Sequence, residues 1–423
     1  MESSAQVSRL VNRSPVFYGW VIVGAGTLGF IMTSPGQTYA VSIFIEHFIG
    51  DLGISRSLVS TLYTAGTLVG SLALPVLGRL IDRKGPRLMV AVIASLFGLA
   101  CIYMGFVTSA VTLGLGFLAI RMFGQGGLGL VSQYVINQWW VRRRGTIMGI
   151  SGLGLALLGI GGFPTLINHL ITGYGWRLTY PLLGGMVLLV MVPLGVTLFR
   201  NQPERFGLLP DGGPSLPAGL VNEPSVPEEN WTPAEAMRTL AFWVVTLGVA
   251  AIAMLSTGLF FHMVSIFSDN NLSAAQAAYV YAPIAVTTAV VNLASGVLVD
   301  RISLRILLAI ALLFQALSLW MAQSLDTVAL AVIYGIVLGA TSGLMRTVSS
   351  VAWATYFGRR YLGSISGTAS TILIAGSALG PVPLGLARDV FGSYNLALQA
   401  FMFLPLLLGA ASLFTGRPQK ASI

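Results

Sequence analysis

The sequence predicts an all-α membrane protein of twelve transmembrane helices arranged as two pseudo-symmetric six-helix halves. Three observations carry this. Only 9% of the 423 residues are charged and 55% are hydrophobic, whereas a soluble domain carries about 25% charged residues. The apolar residues fall into about twelve segments, each roughly 20 residues or longer, enough to cross a ~30 Å hydrocarbon layer as a helix. Finally, a charged turn, Gly78-Arg-Leu-Ile-Asp82-Arg83-Lys-Gly-Pro-Arg87, recurs in weaker form as Gly296-Val-Leu-Val-Asp300-Arg301-Ile-Ser-Leu-Arg305, at a constant offset of 218.

The elements follow in order. Segment α1 runs from about Val16 to Phe44, with Tyr18 and Trp20 suited to the inner interface. Pro35-Gly36 should kink or loosen its outer half. From about Arg56, α2 leads into the charged turn, and α3 covers Leu88 to Val107. Next, α4 (about Val111 to Val141) ends in Trp139-Trp140 and three arginines; α5 starts at Gly145 and is dense in glycine; α6 runs from Trp176 to Phe199. Residues 201–238 hold seven of the nineteen prolines and six of the fourteen acids. They read as a cytoplasmic linker between an N-terminal half (1–200) and a C-terminal half (239–423), with a short surface helix around Pro233–Thr239. Segments α7 to α12 are expected at about 240–268, 274–299, 304–324, 327–356, 362–387 and 394–416. The halves also echo each other in Tyr39-Ala-Val-Ser-Ile-Phe44 against His262-Met-Val-Ser-Ile-Phe267, and in Tyr63 against Tyr281. Two such halves with a site at their interface near the midplane form the architecture of a rocking transporter.

The net charge of +9 is a topology signal and implies no nucleic-acid partner. With a cytoplasmic N-terminus, 18 of the 23 lysines and arginines lie inside, only Arg56, Arg177 and Arg388 lie outside, and Arg121 and Arg346 lie within helices. The positive-inside rule thus puts both termini in the cytoplasm of a cell whose inner membrane holds the protein. The first apolar segment is too long for a cleaved signal. A single cysteine, Cys101, excludes an internal disulfide and gives no metal motif. Gly124-Gln-Gly126-Gly-Leu-Gly129 satisfies a dinucleotide fingerprint letter for letter, but it lies inside an apolar helix, where the glycines serve packing. No cofactor, no metal and no enzymatic activity are expected, and a monomer is.

These residues resemble the major facilitator superfamily over nearly the whole chain. The loop Gly78–Arg87 matches that family's motif between its second and third helices. Phe17-Tyr-Gly-Trp-Val21, Gly175-Trp-Arg177 and Tyr356-Phe-Gly-Arg359 are similar to the monocarboxylate porter and oxalate/formate antiporter branch. The resemblance implies alternating access, with Gly78, Asp82, Arg83, Asp300 and Arg301 as a conformational gate and Asp82 as a latch on a helix end or an arginine. It also places Arg346 near a substrate-contacting position and makes Tyr39 a cavity tyrosine. Where the branch carries an arginine in α8, this chain has Asn292; Thr288 replaces an acid one turn earlier; and 362–387 contains no lysine.

Candidate site residues follow from chemistry inside a membrane. An intramembrane arginine is costly and so points to function. Arg346 lies among Gly343, Thr347 and Ser350, where it either forks onto a carboxylate or snorkels to the inner interface. Arg121 serves proton coupling, anion attraction or a structural bond to a neighbouring helix. His262 carries a coupled proton, donates to a carboxylate or packs as a neutral ring, since histidine changes charge near physiological pH. Tyr39, Tyr63, Tyr281 and Asn292 are candidate substrate hydrogen-bonders or simply packed. None of the fourteen acids falls mid-helix, so the interior should attract anions. The expected function is proton-coupled symport of a small mono- or dicarboxylate. Anion exchange and efflux of an amphipathic drug or siderophore are the alternatives.

Overall fold

The computed structural model describes residues 8–213 and 229–420. Every regular element among them is helical. Among the described residues eleven helices are long and apolar enough to cross a membrane. They are α2 (Ser57–Lys84), α3 (Pro86–Met104), α4 (Ala110–Trp139), α5 (Arg144–Tyr174), α6 (Trp176–Thr197), α7 (Leu240–Asp269), α8 (Ala274–Val299), α9 (Leu304–Met321), α10 (Val328–Phe357), α11 (Leu362–Phe391) and α12 (Asn395–Phe414). Their starts follow local chemistry. Gly85, at φ +83°, ends α2 and Pro86 opens α3, because proline needs no donor in a first turn. Ser109 with Thr112 and Ser273 with Gln276 form reciprocal capping boxes at the starts of α4 and α8.

Segment α1 departs from the expected kinked but continuous helix. It is helical over Gly19–Met32, tightens to a 3-10 turn at Ser34–Gly36, and resumes in short pieces to Leu52. Pro35 lacks an N–H and Gln37 is extended (ψ 153°), so the ladder stops there and backbone carbonyls are released for other donors.

The chain packs as two compact units, Met1–Trp231 with Phe357–Thr371, and Thr232–Tyr356 with Ile372–Ile423. In the first, α3 crosses α6 glycine on glycine. A Cβ on Gly184 would lie 2.5 Å from the Gly98 carbonyl oxygen, closer than any side chain tolerates. Beside this contact Phe44, Phe48, Phe117, Trp176 and Tyr180 interlock, with Phe44 and Tyr180 centroids 4.1 Å apart and Phe48 edge-on to Trp176 at 5.1 Å. In the second unit, α8 and α10 run parallel. Gly335 faces Val280, Gly339 faces Ile284 and Gly343 faces Thr288 and Asn292, a ladder of small residues of the kind that lets membrane helices approach. Large apolar side chains such as Leu189 (79% exposed) and Phe414 (89%) point outward, as expected of a lipid-facing surface.

Of the expected linker, Pro203–Phe206 and Pro210–Gly212 form single 3-10 turns and Pro233–Met237 a short helix; 214–228 lie outside the described residues. The short helix is capped reciprocally by Thr232 and Glu235. The Thr232 N–H, and then Lys420 at 3.2 Å, hold the Glu235 carboxyl below the usual carboxylate range.

Gly184→Val should force α3 and α6 apart at a cost of about 3 kcal/mol. Read as melting temperature in detergent, the loss is about 5–10 °C. Gly185→Val, whose added carbon meets nothing within 4 Å, should stay within about 2 °C of the parent.

Candidate functional site

In the first unit, Arg121, Tyr63 and Tyr39 come together at the break in α1. Arg121 is 6% exposed and starts a π-helical stretch, Arg121–Leu128, within α4, a departure from α-helix that often marks functional positions. Its Nε donates to Thr67 Oγ1 (2.9 Å) and its Nη1 to the Gly36 carbonyl (2.9 Å). The guanidinium carbon sits 4.8 Å from the Tyr63 ring centroid, within cation–π range. The Tyr63 hydroxyl donates to Thr38 Oγ1 (2.8 Å), and the Tyr39 hydroxyl shares a hydrogen bond with Ser34 Oγ (2.8 Å). Gly36 is therefore both where α1 breaks and where α1 receives the arginine. Five N–H groups leave a guanidinium, and Arg121 has no ion pair with any described carboxylate. Among the described residues the buried charged side chains are Arg121, Arg144, Arg200 and Arg359, with no acid.

The charged turn is built around Asp82. Its carboxylate accepts from the Gly363 N–H (2.9 Å), the Ser364 N–H (2.8 Å) and Ser364 Oγ (2.5 Å), so it caps the N-terminus of α11. Gly78 packs directly on the Gly363 carbonyl. Of the two contacts open to Asp82, a helix end is the one observed; the positive end of the helix dipole reinforces it. Arg83 and Arg301 are exposed, and Asp300 is the C-cap of α8.

The linker adds a second layer that the sequence pattern did not reveal. Glu204 Oε1 accepts from Arg359 Nη2 at 2.7 Å, with side chains 13% and 8% exposed. Arg359 Nη1 donates to the Gln138 carbonyl (2.6 Å), and Gln138 Nε2 donates to the Arg359 carbonyl (2.8 Å). Asp211, held at φ +60°, accepts from the N–H groups of Val141, Arg142 and Arg143 at 2.9–3.3 Å. Further on, Asn230 Oδ1 accepts from the Arg360 N–H (3.0 Å) and Trp231 N–H donates to the Phe357 carbonyl (3.0 Å). The signals available were Pro203-Glu204 and Pro210-Asp211-Gly212, turn sequences whose partners no local pattern names.

In the second unit the candidates separate into two levels. His262 Nε2 lies 3.0 Å from the Pro381 carbonyl and Nδ1 3.2 Å from the Tyr394 hydroxyl. Tyr281 stacks on Phe260 and reaches its carbonyl at 3.5 Å. Asn292 is 6% exposed and accepts from Thr347 Oγ1 (3.1 Å), which ties α8 to α10. Arg346, next to Thr347, is exposed. Because Val280 is level with Gly335, Arg346 lies eleven residues, or about 16 Å, further along α10 than Tyr281. A small carboxylate spans no such distance, so Arg346 and the His262–Tyr281 pair do not hold one ligand together.

Comparison with known proteins gives a consistent picture. The family profile of the Major Facilitator Superfamily matches residues 26–381. Monocarboxylate transporter 13 of Rattus norvegicus is 26% identical, covering 96% of this chain and 93% of that one. The oxalate:formate antiporter of Oxalobacter formigenes is 22% identical over 50% of this chain and 46% of its own. Among solved structures, the human organic anion transporter MFSD10 (TETRAN) superposes with TM-score 0.69 at 14% identity, covering 95% of this chain and 100% of that one; this likeness concerns the fold.

Glu204→Ala should leave Arg359 buried beside a missing carboxylate and cost about 3–5 kcal/mol, measured as a fall in detergent melting temperature. Adding Arg359→Leu should recover part of that loss, because the two residues act on one contact.

Proposed function

We propose that this chain, which belongs to the Major Facilitator Superfamily and is a multi-pass membrane transporter, carries a small mono- or dicarboxylate by alternating access, coupled to a proton. The observation that carries this reading is Arg121, a guanidinium within a membrane-spanning helix, without a described carboxylate partner and ringed by Thr67, Tyr63 and the Gly36 carbonyl. A fixed cation in low dielectric attracts an anion strongly, and the planar fork suits a carboxylate. Tyr39 and Tyr63 supply hydroxyls beside it, and Arg346 is a separate candidate contact for the anion. The names of the relatives, monocarboxylate and oxalate:formate transporters, favour the same substrate class. His262 is the proton carrier on this reading. The arginine distribution supports cytoplasmic termini, and we place the protein in an inner membrane on this reading.

The gate follows from the cap on α11. By chain order α11 belongs to the second set of six helices, yet its residues up to Thr371 pack in the first unit, held by Asp82. Rocking of the halves requires that cap to break, so Asp82 and Gly78 set how often the transporter switches. Asp82→Asn keeps one acceptor and removes the charge that complements the helix dipole. It should change the maximal transport rate several-fold, about 1 kcal/mol in barrier terms, with KM within about twofold. A large loss of affinity at normal turnover would contradict the gate.

Uptake of radiolabelled lactate, formate, oxalate and malonate into proteoliposomes, with and without an inward proton gradient, tests the main reading. At least one should accumulate above its equilibrium level when the gradient is imposed. If none accumulates and a lipophilic cation is expelled instead, the anion reading fails. Arg346→Ala should weaken uptake at least about tenfold, roughly the value of one charged hydrogen bond.

A further inference from the structure

We propose that Tyr394 and Ser265 form the proton relay to His262, fed from a cavity at the Asp269–Arg388 end of the second unit. The proposal rests on the proton-symport reading and names the route that reading lacks.

A cavity of about 300 Å³ is lined by Asp269, Asn270, Gln323, Arg388, Tyr394 and Asn395, among others. It lies where the topology puts the external face. At its rim Arg388 Nη1 donates to Asp269 (2.6 Å) and to the Gly392 carbonyl (2.6 Å). The cavity wall at Tyr394 is shared with the histidine. The Tyr394 hydroxyl stands 3.2 Å from His262 Nδ1 and 3.0 Å from Ser265 Oγ. Ser265 is half-buried and adjoins Ile266, another lining residue.

The chemistry of this chain is that it is satisfied in both charge states. The Pro381 carbonyl only accepts, so Nε2 carries a hydrogen in each. The Tyr394 hydroxyl donates to Ser265 Oγ, the direction the protonated ring requires; with the ring neutral the tyrosine turns its hydrogen to Nδ1 and accepts from Ser265. With the ring protonated, Nδ1–H donates to Tyr394 and the tyrosine donates to Ser265. A proton delivered to Ser265 Oγ converts one arrangement into the other. The serine hydrogen moves to Tyr394, the tyrosine hydrogen moves to Nδ1, and the entering proton stays on the serine. One proton is consumed, one imidazolium forms, and no polar group is left bare, which in a buried site would oppose the change. A histidine merely packed in place needs no such reversible pair of hydroxyls.

Other titratable or charged groups among the described residues lie on the neighbouring elements. On the elements packed beside α7 they are Arg388, over the Tyr394 ring, and Asp389 on α11, Tyr281 on α8, bonded to the Phe260 carbonyl, Tyr334 on α10, against Phe267, and Asp269 on α7 itself. Arg388, 5.5 Å from the Tyr394 ring centroid, is paired with Asp269, so the rim adds little net charge opposing an entering proton.

The test separates net proton movement from exchange. Wild type, Tyr394→Phe and Ser265→Ala are reconstituted, and two quantities are measured with radiolabelled lactate, formate, oxalate and malonate. One is accumulation driven by a pH gradient; the other is counterflow at equal pH, which needs no net proton transfer and reports folding and binding. Tyr394→Phe should lower the rate of gradient-driven accumulation at least about a hundredfold, the low end for a positioned proton-transfer group, while counterflow stays within about twofold. Ser265→Ala should shift the same ratio in the same direction. Unchanged gradient-driven accumulation in both variants, or equal loss of both activities, overturns the relay and leaves symport standing. A wild type whose accumulation ignores the pH gradient overturns symport itself and the relay with it.

Discussion

A guanidinium inside a hydrocarbon layer must be satisfied by the protein around it, at a cost of at least about 3 kcal/mol before compensation. Arg121 meets that constraint without a carboxylate among the described residues. Thr67 takes one hydrogen, the Tyr63 face takes part of the charge, and the Gly36 carbonyl is free to accept because Pro35 interrupts the first helix. The break in α1 and the arginine in α4 are therefore one feature. Neither is stable alone: a freed carbonyl in lipid lacks a donor, and a buried guanidinium lacks an acceptor. What their pairing does not supply among the described residues is a counter-charge, the role the proposed function gives to a carboxylate substrate.

The same economy governs the other end of the molecule, where acids meet backbone amides. Asp82 binds the first N–H groups of α11, and Asp211 binds three successive N–H groups ahead of α5. Both exploit the unpaired donors of a helix start. A full ion pair appears in this region where Glu204 meets Arg359, shielded and braced by Gln138. Such contacts are strong when formed and leave costly bare groups when half broken, which suits a switch with two states better than a joint that bends gradually.

Much of the fold was legible because membrane helices are written in composition. The run expected at 240–268 is Leu240–Asp269, and that expected at 274–299 is Ala274–Val299. The complete break of α1 was legible only as a kink, since the Arg121 bond that stabilises it comes from 85 residues away. The π-helical stretches at Arg121–Leu128 and Leu155–Gly162 left a trace only as glycine-rich sequence. At the candidate site, residue type gave Arg121, Tyr39, Tyr63 and His262 individually. It did not give Thr67, Ser265 or Tyr394, because a hydroxyl has no signal in a helix until its partner is known. Depth along parallel helices was also invisible, so nothing in the sequence separated Arg346 from His262, although they stand at different levels of their unit.

The central claim is that the uncompensated charge of Arg121 is the anion-binding group. Ligand-induced stabilisation of the purified protein tests it without any transport assay. A carboxylate held at one hundred times its Kd should stabilise the protein by about 2.7 kcal/mol, a clear rise in melting temperature. Arg121→Gln, which keeps donors near Thr67 and Gly36 but carries no charge, should fold and lose that rise. An undiminished rise in Arg121→Gln would place the anion elsewhere and contradict the account.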